Sequence, residues 1–107
     1  MTSRCSAIFG EEFTVHELDI HRENPERIRR VISCLPDYIS HIRPVTASFA
    51  DLERVHHRGH IRMIEYFSSF DGIHYIDMDT YVNKGSFETA LLAAGSSILA
   101  AERALDG

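Results

Sequence analysis

Two prolines fix the first secondary-structure element of this 107-residue chain. Pro25 follows Asn24, a good capping residue, and suits the first helical position, where its missing N–H has no partner to lose. Ile28, Val31, Ile32 and Leu35 then recur at i, i+3, i+4 and i+7, and Pro36 stops the run. Arg27, Arg29 and Arg30 fall off that stripe. The spacing predicts an amphipathic helix, and such a helix is stable only against a partner surface. Every reading of the rest of the chain must supply that surface.

Two further helices are predicted. Ser48 and Asp51 form a weak capping box before Leu52 and Val55, and Gly59 is expected to end or bend that turn. A helical run follows with Met63, Phe67 and Phe70 on one line, Ile61 and Ile64 beside it, and a turn signal at Asp71-Gly72. Ser86 then caps the longest helix, whose stripe is Leu91, Ala94, Ile98, Ala101 and Leu105. Gly in a helix interior is about 1 kcal/mol worse than Ala, so Gly95, among Ala93, Ala94, Ser96 and Ser97, implies close approach of another element. Between these helices, residues 10–23 are polar and irregular, residues 44–47 read as a short strand or extended link, and residues 73–85 read as a loop.

Residues 6–9 form a short apolar segment consistent with one buried strand. A lone strand cannot satisfy its backbone groups, so its partners are expected outside this chain. The expectation is an α/β fold represented by a single incomplete segment, residues 1–107. By itself it is mostly three amphipathic helices with one or two short strands, ending at Gly107 where a helix C-cap belongs.

Charge and hydropathy narrow the partners. Eleven Lys and Arg against 16 Asp and Glu give a formal charge of -5, which argues against direct nucleic-acid binding. No apolar run approaches the ~20 residues of a membrane span. Ala7-Ile8-Phe9-Gly10 is too short for the apolar core of a signal peptide, and Glu11-Glu12 ends it. A cytoplasmic protein with Cys5 and Cys34 reduced is the simplest expectation.

Seven histidines invite a metal hypothesis. His56 and His60 have the i, i+4 spacing of a zincin helix, but His57 stands where that motif needs Glu, and Gly59 interrupts it. His16, Asp19 and His21 carry suitable donors in a segment better explained as a polar surface loop. Asp77-Met78-Asp79 with Glu88 imitates a calcium loop, yet Tyr81 and Val82 occupy the fifth and sixth positions, where an oxygen donor and Gly belong. Cys34 sits at a helix end away from the N-terminal dipole that would activate it, and no Gly-rich phosphate loop is present. The residues alone thus name neither a metal site nor a catalytic one.

Three ordered stretches carry a family resemblance. They are His21-Arg22-Glu23-Asn24-Pro25-Glu26-Arg27, then Val55-His56, then the run from Asp77 through Gly85-Ser86-Phe87-Glu88 into Leu91-Leu92-Ala93-Ala94-Gly95. In that order and spacing the chain resembles the N-terminal part of the histone deacetylase superfamily, in its prokaryotic deacetylase-like, acetylpolyamine amidohydrolase and acetoin-utilisation branch. The resemblance implies a fragment of an arginase-like α/β domain with a mostly parallel sheet. It also implies that the full-length parent is a hydrolase of acetyl-lysine or acetylpolyamine amides that uses zinc. The family's Gly-His-His stretch, Asp-x-His and later Asp, which bind zinc and move protons, come further downstream, so neither catalytic residues nor zinc are expected in this chain.

Two residues carry over individually, and the resemblance puts two more on the rim. Arg27 matches an Arg of the channel beside the acetyl pocket, where a fixed cation suits an acetate product. Asp79 matches a rim Asp that accepts hydrogen bonds from substrate backbone N–H groups, and His21 and Glu23 fall on the active-site rim. The sequence departs from the family at Arg22, where Pro is usual, and at His57-Arg58-Gly59-His60, where something closer to Ser-Pro-Glu-Tyr is expected. The implied partner is the remainder of the deacetylase domain, with self-association through the same faces as a further expectation. Two other readings stay open: a short non-catalytic interaction module that docks through its apolar helix faces, and a small metal-binding His protein.

Overall fold

The computed structural model describes residues 5–14 and 25–106. Strand β1, Ser6–Ile8, leads into a short 3-10 helix, Glu11–Thr14. Helix α1, Pro25–Ser33, precedes strand β2, Ser40–Ile42. Helices α2, Phe49–Glu53, and α3, Arg58–Ser68, are followed by strands β3, His74–Tyr75, and β4, Tyr81–Val82. Helix α4, Ser86–Asp106, is the longest element.

Strand β1 finds a partner within the chain, contrary to the sequence reading. It pairs in parallel with β2, placing Ser6 opposite Ser40, Ala7 opposite His41 and Ile8 opposite Ile42. Ser40-His41-Ile42 shows neither an apolar run nor a clear alternation, so periodicity could not reveal it. The pairing is still only two strands wide among the described residues.

Helix α1 begins at Pro25 as expected and ends at Ser33, where the N–H of Cys34 is shared between the carbonyls of Arg30 and Val31 at 3.2 and 3.1 Å. The capping box forms: Asp51 N donates to Ser48 Oγ at 3.1 Å, and Ser48 N donates to Asp51 Oδ2 at 3.0 Å. Gly59 does not end that turn. It lies in the first turn of α3, capped by His57, whose Nδ1 accepts the Gly59 N–H at 3.0 Å. The guanidinium of Arg62 stacks 4.4 Å from the centre of the Phe49 ring and joins the two helices.

The segment read as a loop contains a hairpin. His74 and Tyr75 pair antiparallel with Val82 and Tyr81, and both residues of β4 are buried. Gly72, at a φ of 86°, makes the turn that admits it. Ser68, buried at the end of α3, accepts from Phe87 N through its Oγ at 3.1 Å and from Gly85 N through its carbonyl at 3.4 Å. The end of α3 is thereby tied to the start of α4.

Gly95 has the packing reason its sequence context implied. A Cβ there would collide with the Val45 carbonyl oxygen and lie 2.6 Å from Ala47 N. The extended link of residues 45–47 instead lies flush on α4, and Ala47 N donates to the Leu91 carbonyl at 2.9 Å. The buried face of α4 is therefore Ser86, Gly95 and Ser96, while Leu105, placed on the predicted stripe, is 87% exposed.

Little else is enclosed. The buried apolar residues among those described are Ala47, Ile61, Tyr81 and Val82. The radius of gyration is 15.3 Å, against about 13 Å for a compact chain of roughly 100 residues. The molecule measures 46 by 32 by 19 Å, a slab with α4 tied to α3 and the link of residues 45–47 on one side and an open trough on the other.

Candidate functional site

The open side holds a trough of about 950 Å³. Its wall on one side is α1, presenting Arg27, Ile28 and Val31, and on the other α4, presenting Thr89, Ala93 and Ser97. Ser6 and Ile8 of β1 border it, as do Thr80, Tyr81 and Val82 of the hairpin. The lining is mostly apolar, with the Arg27 guanidinium as its cationic group among the described residues. Ser96, also on the lining, has a buried Oγ with no hydrogen-bond partner among the described residues.

Arg27 reaches this surface because Pro25 starts α1 two residues earlier, which sets Arg27 and Ile28 on the first turn facing the trough. Arg27 already interacts within the chain, and it remains exposed. Its neighbour Arg30 pairs with Glu26 at 3.5 Å along the solvent face of the helix.

Asp79 lies on the exposed turn between β3 and β4, with Met78 wholly exposed at its tip. Asp77 shapes that turn. Its carboxylate accepts the Asp79 N–H at 2.9 Å and a hydrogen bond from the Thr80 side chain. Those bonds hold the Asp77 carboxyl below its ordinary range. The structure thus brings Arg27 and Thr80 to one trough and leaves Asp79 one residue outside its lining. His21 and Glu23 lie outside the described residues, as do His16 and Asp19.

Sequence reasoning missed the contribution of Thr80, Tyr81 and Val82 to this surface. The available signal was three consecutive residues of high β-propensity, masked by Asp77 and Asp79 just before them.

No group of three or more His, Cys, Asp or Glu side chains converges as metal ligands among the described residues. The His56 and His60 rings stand 5.4 Å apart at the α2–α3 corner, His57 is spent as a helix cap, and Cys5 and Cys34 are both exposed thiols. A zinc centre needs three protein ligands at least, so the described residues do not fit one. No described helix is long and apolar enough to cross a membrane.

Helices flanking the start of a parallel sheet, with one side unfinished, define the class: part of a layered α/β domain. The chain belongs to the histone deacetylase domain family, whose sequence pattern matches residues 21–107. It is 36% identical over 107 aligned positions to a probable deacetylase of Archaeoglobus fulgidus, covering 92% of this chain and 29% of that protein. It is 32% identical over 104 positions to a probable deacetylase of Methanothermobacter thermautotrophicus, covering 92% of this chain and 30% of the other. Among solved structures it resembles the HD domain of HDA15, with a TM-score of 0.77 and 26% identity over 85% of this chain and 29% of that one. The chain therefore spans less than a third of the length of these relatives.

Proposed function

We propose that this chain forms the N-terminal part of a zinc-dependent, deacetylase-like amidohydrolase of the cytoplasm that cleaves acetyl-lysine or acetylpolyamine amides, and that it is inactive alone. The observation carrying this reading is the family match over residues 21–107, made to under a third of each relative's length. The zinc and the residues that move protons belong to the remainder of the domain. This chain contributes the trough wall, with Arg27 as a fixed cation near the acetyl end of the channel and Asp79 at the rim, positioned by Asp77 to accept substrate backbone N–H groups. His21 and Glu23, outside the described residues, are assigned to the active-site rim by the family resemblance.

The purified chain, given zinc and a fluorogenic acetyl-lysine peptide or N-acetylspermidine, is expected to show no turnover above blank. Joined to the segments of the Archaeoglobus fulgidus protein that it does not align with, it is expected to hydrolyse one of the two substrates and to lose that activity on chelation. Turnover by the chain alone overturns the reading.

The trough also favours a second reading, a non-catalytic module that docks through its apolar helix faces. Val31, 61% exposed on α1, and Ile28 beside it on the trough wall are its contact residues. This reading requires a binding partner other than a deacetylase domain, and sedimentation of the chain as a monomer indifferent to added partners removes it.

A further inference from the structure

Helix α3 starts from a cap that works in one protonation state only. His57 Nδ1 accepts the Gly59 N–H at 3.0 Å, so this nitrogen offers a lone pair and the ring proton sits on Nε2. The usual capping residues, Asn, Asp, Ser and Thr, accept through oxygen and keep that ability near neutral pH. An imidazole loses it on taking a second proton, which ordinary histidines do at about pH 6.5. The imidazolium donates at both nitrogens, and the Gly59 N–H is left without its acceptor.

The charges around the cap make an added proton unwelcome. Residues 51–65 hold three Arg, three Asp or Glu and three His. The carboxylates are already engaged. Glu53 pairs with Arg58 at 3.5 Å and Glu65 with Arg62 at 2.8 Å, while Asp51 accepts from Ser48 N and lies within electrostatic reach of Arg54. From α4, Glu102 shares a small hollow with Asp51. The corner is therefore neutral while its histidines are neutral, and each proton they take is surplus. The His56 and His60 ring centres stand 5.4 Å apart, close enough for two imidazolium charges to repel. All three rings lie at the N-terminal end of α3, where the helix dipole already presents positive charge. The other end of α3 is held without a titrating group: Ser68 Oγ accepts from Phe87 N at 3.1 Å.

We infer that the His57 cap, with His56 and His60 beside it, is a pH-sensitive latch that frees the first turn of α3 from the α2 corner as pH falls from about 7.5 to about 5.5, while the Ser68 end stays bound. The freed turn admits a proton at Nδ1 that the capped turn excludes, so acid favours opening. This inference does not rest on the proposed function.

The test uses the 107-residue chain in a chelating buffer, so that no metal ion bridges the histidines. Nitrogen and amide NMR shifts are followed from about pH 8 to about pH 5. The Gly59 amide proton should move upfield in step with protonation of His57 Nδ1. Protection of the Ile61 amide, which donates to the His57 carbonyl at 3.2 Å, should drop about fivefold after correction for the intrinsic pH dependence of exchange, the scale of one lost cap. The melting temperature should fall over the same range. His57→Asn, which caps through oxygen, should match the unaltered chain at about pH 7.5 and lose most of that fall, whereas His57→Ala should melt lower already at that pH. His56→Gln combined with His60→Gln should remove part of the fall by itself. The Gly59 and Ile61 readings come from the unaltered chain and stand whether or not the variants fold. A Gly59 amide already at its random-coil shift at about pH 7.5, a Gly59 shift indifferent to the state of His57, or a His57→Asn chain that loses stability as steeply as the unaltered one each overturns the inference.

Discussion

The two sides of the slab differ in how their apolar residues are used. On the closed side, the β3–β4 hairpin, the end of α3 and the link of residues 45–47 are pinned to α4 by Gly95, Ser68 and the Ala47–Leu91 hydrogen bond. On the open side, β1 and α1 offer Ile8, Ile28 and Val31 to a trough and enclose none of them fully. The closed side still exposes Tyr66, Phe70, Ile73 and Tyr75, but it holds the buried Ala47, Ile61, Tyr81 and Val82. What separates the sides is that the buried residues sit there, so stability in the isolated chain should reside mainly on the closed side.

Substitutions can break that contrast. The largest effect is expected at Tyr81, the one fully buried large side chain among the described residues. Tyr81→Ala should cost about 3–5 kcal/mol, enough to unfold a chain with so small a core, and thermal melting by circular dichroism reads it directly. Gly95→Ala should follow, at about 2–3 kcal/mol by urea titration, because the new methyl meets backbone that cannot rotate away.

A smaller loss, about 1 kcal/mol, is expected for Ser48→Ala, which removes half of the α2 capping box. Its other half carries a pH signature. The Ser48 backbone N–H, then the Ser48 hydroxyl, hold the Asp51 carboxyl below its ordinary value in the folded chain. A depressed folded pKa means that the carboxylate stabilises the fold above its unfolded value and ceases to do so as pH falls through the folded one. Asp51→Asn should therefore flatten the stability profile below about pH 4, measured as melting temperature against pH, with little change in its shape at neutrality. Smallest of all, Val31→Ser on the open side should change stability by no more than about 0.5 kcal/mol in the chain alone. A loss as large as that of Gly95→Ala would mean that α1 is already covered, and the contrast between the two sides would fail.

The same division governs what could be read in the sequence. Elements with local punctuation were legible: Pro25 and Pro36 bracket α1, Ser48 and Asp51 announce α2, and Gly95 among small residues marks a close approach. Elements defined by distant pairing were not. Strand β2 is three residues of mixed polarity whose identity comes from β1, more than thirty positions earlier. Tyr81 and Val82 looked like part of a loop because burial against α3 is invisible to a short window. Gly59 read as a breaker, but His57 supplies the cap that lets a helix start there. Of the candidate site, the first turn of α1 placed Arg27 on the trough as its helix position allowed. Asp79 could be placed only on a turn whose shape depends on Asp77 and Thr80.

The docking of residues 45–47 on α4 also constrains the order of events during synthesis. The link cannot settle until the helical stretch around Leu91 and Gly95 exists, more than forty positions later in the chain. Loop closure over that separation must come before the contact gives anything back. A growing polypeptide therefore holds the link and the end of α3 without their anchor until α4 has been made. The link stays undocked for that interval, whose length scales with the time needed to make residues 86–106.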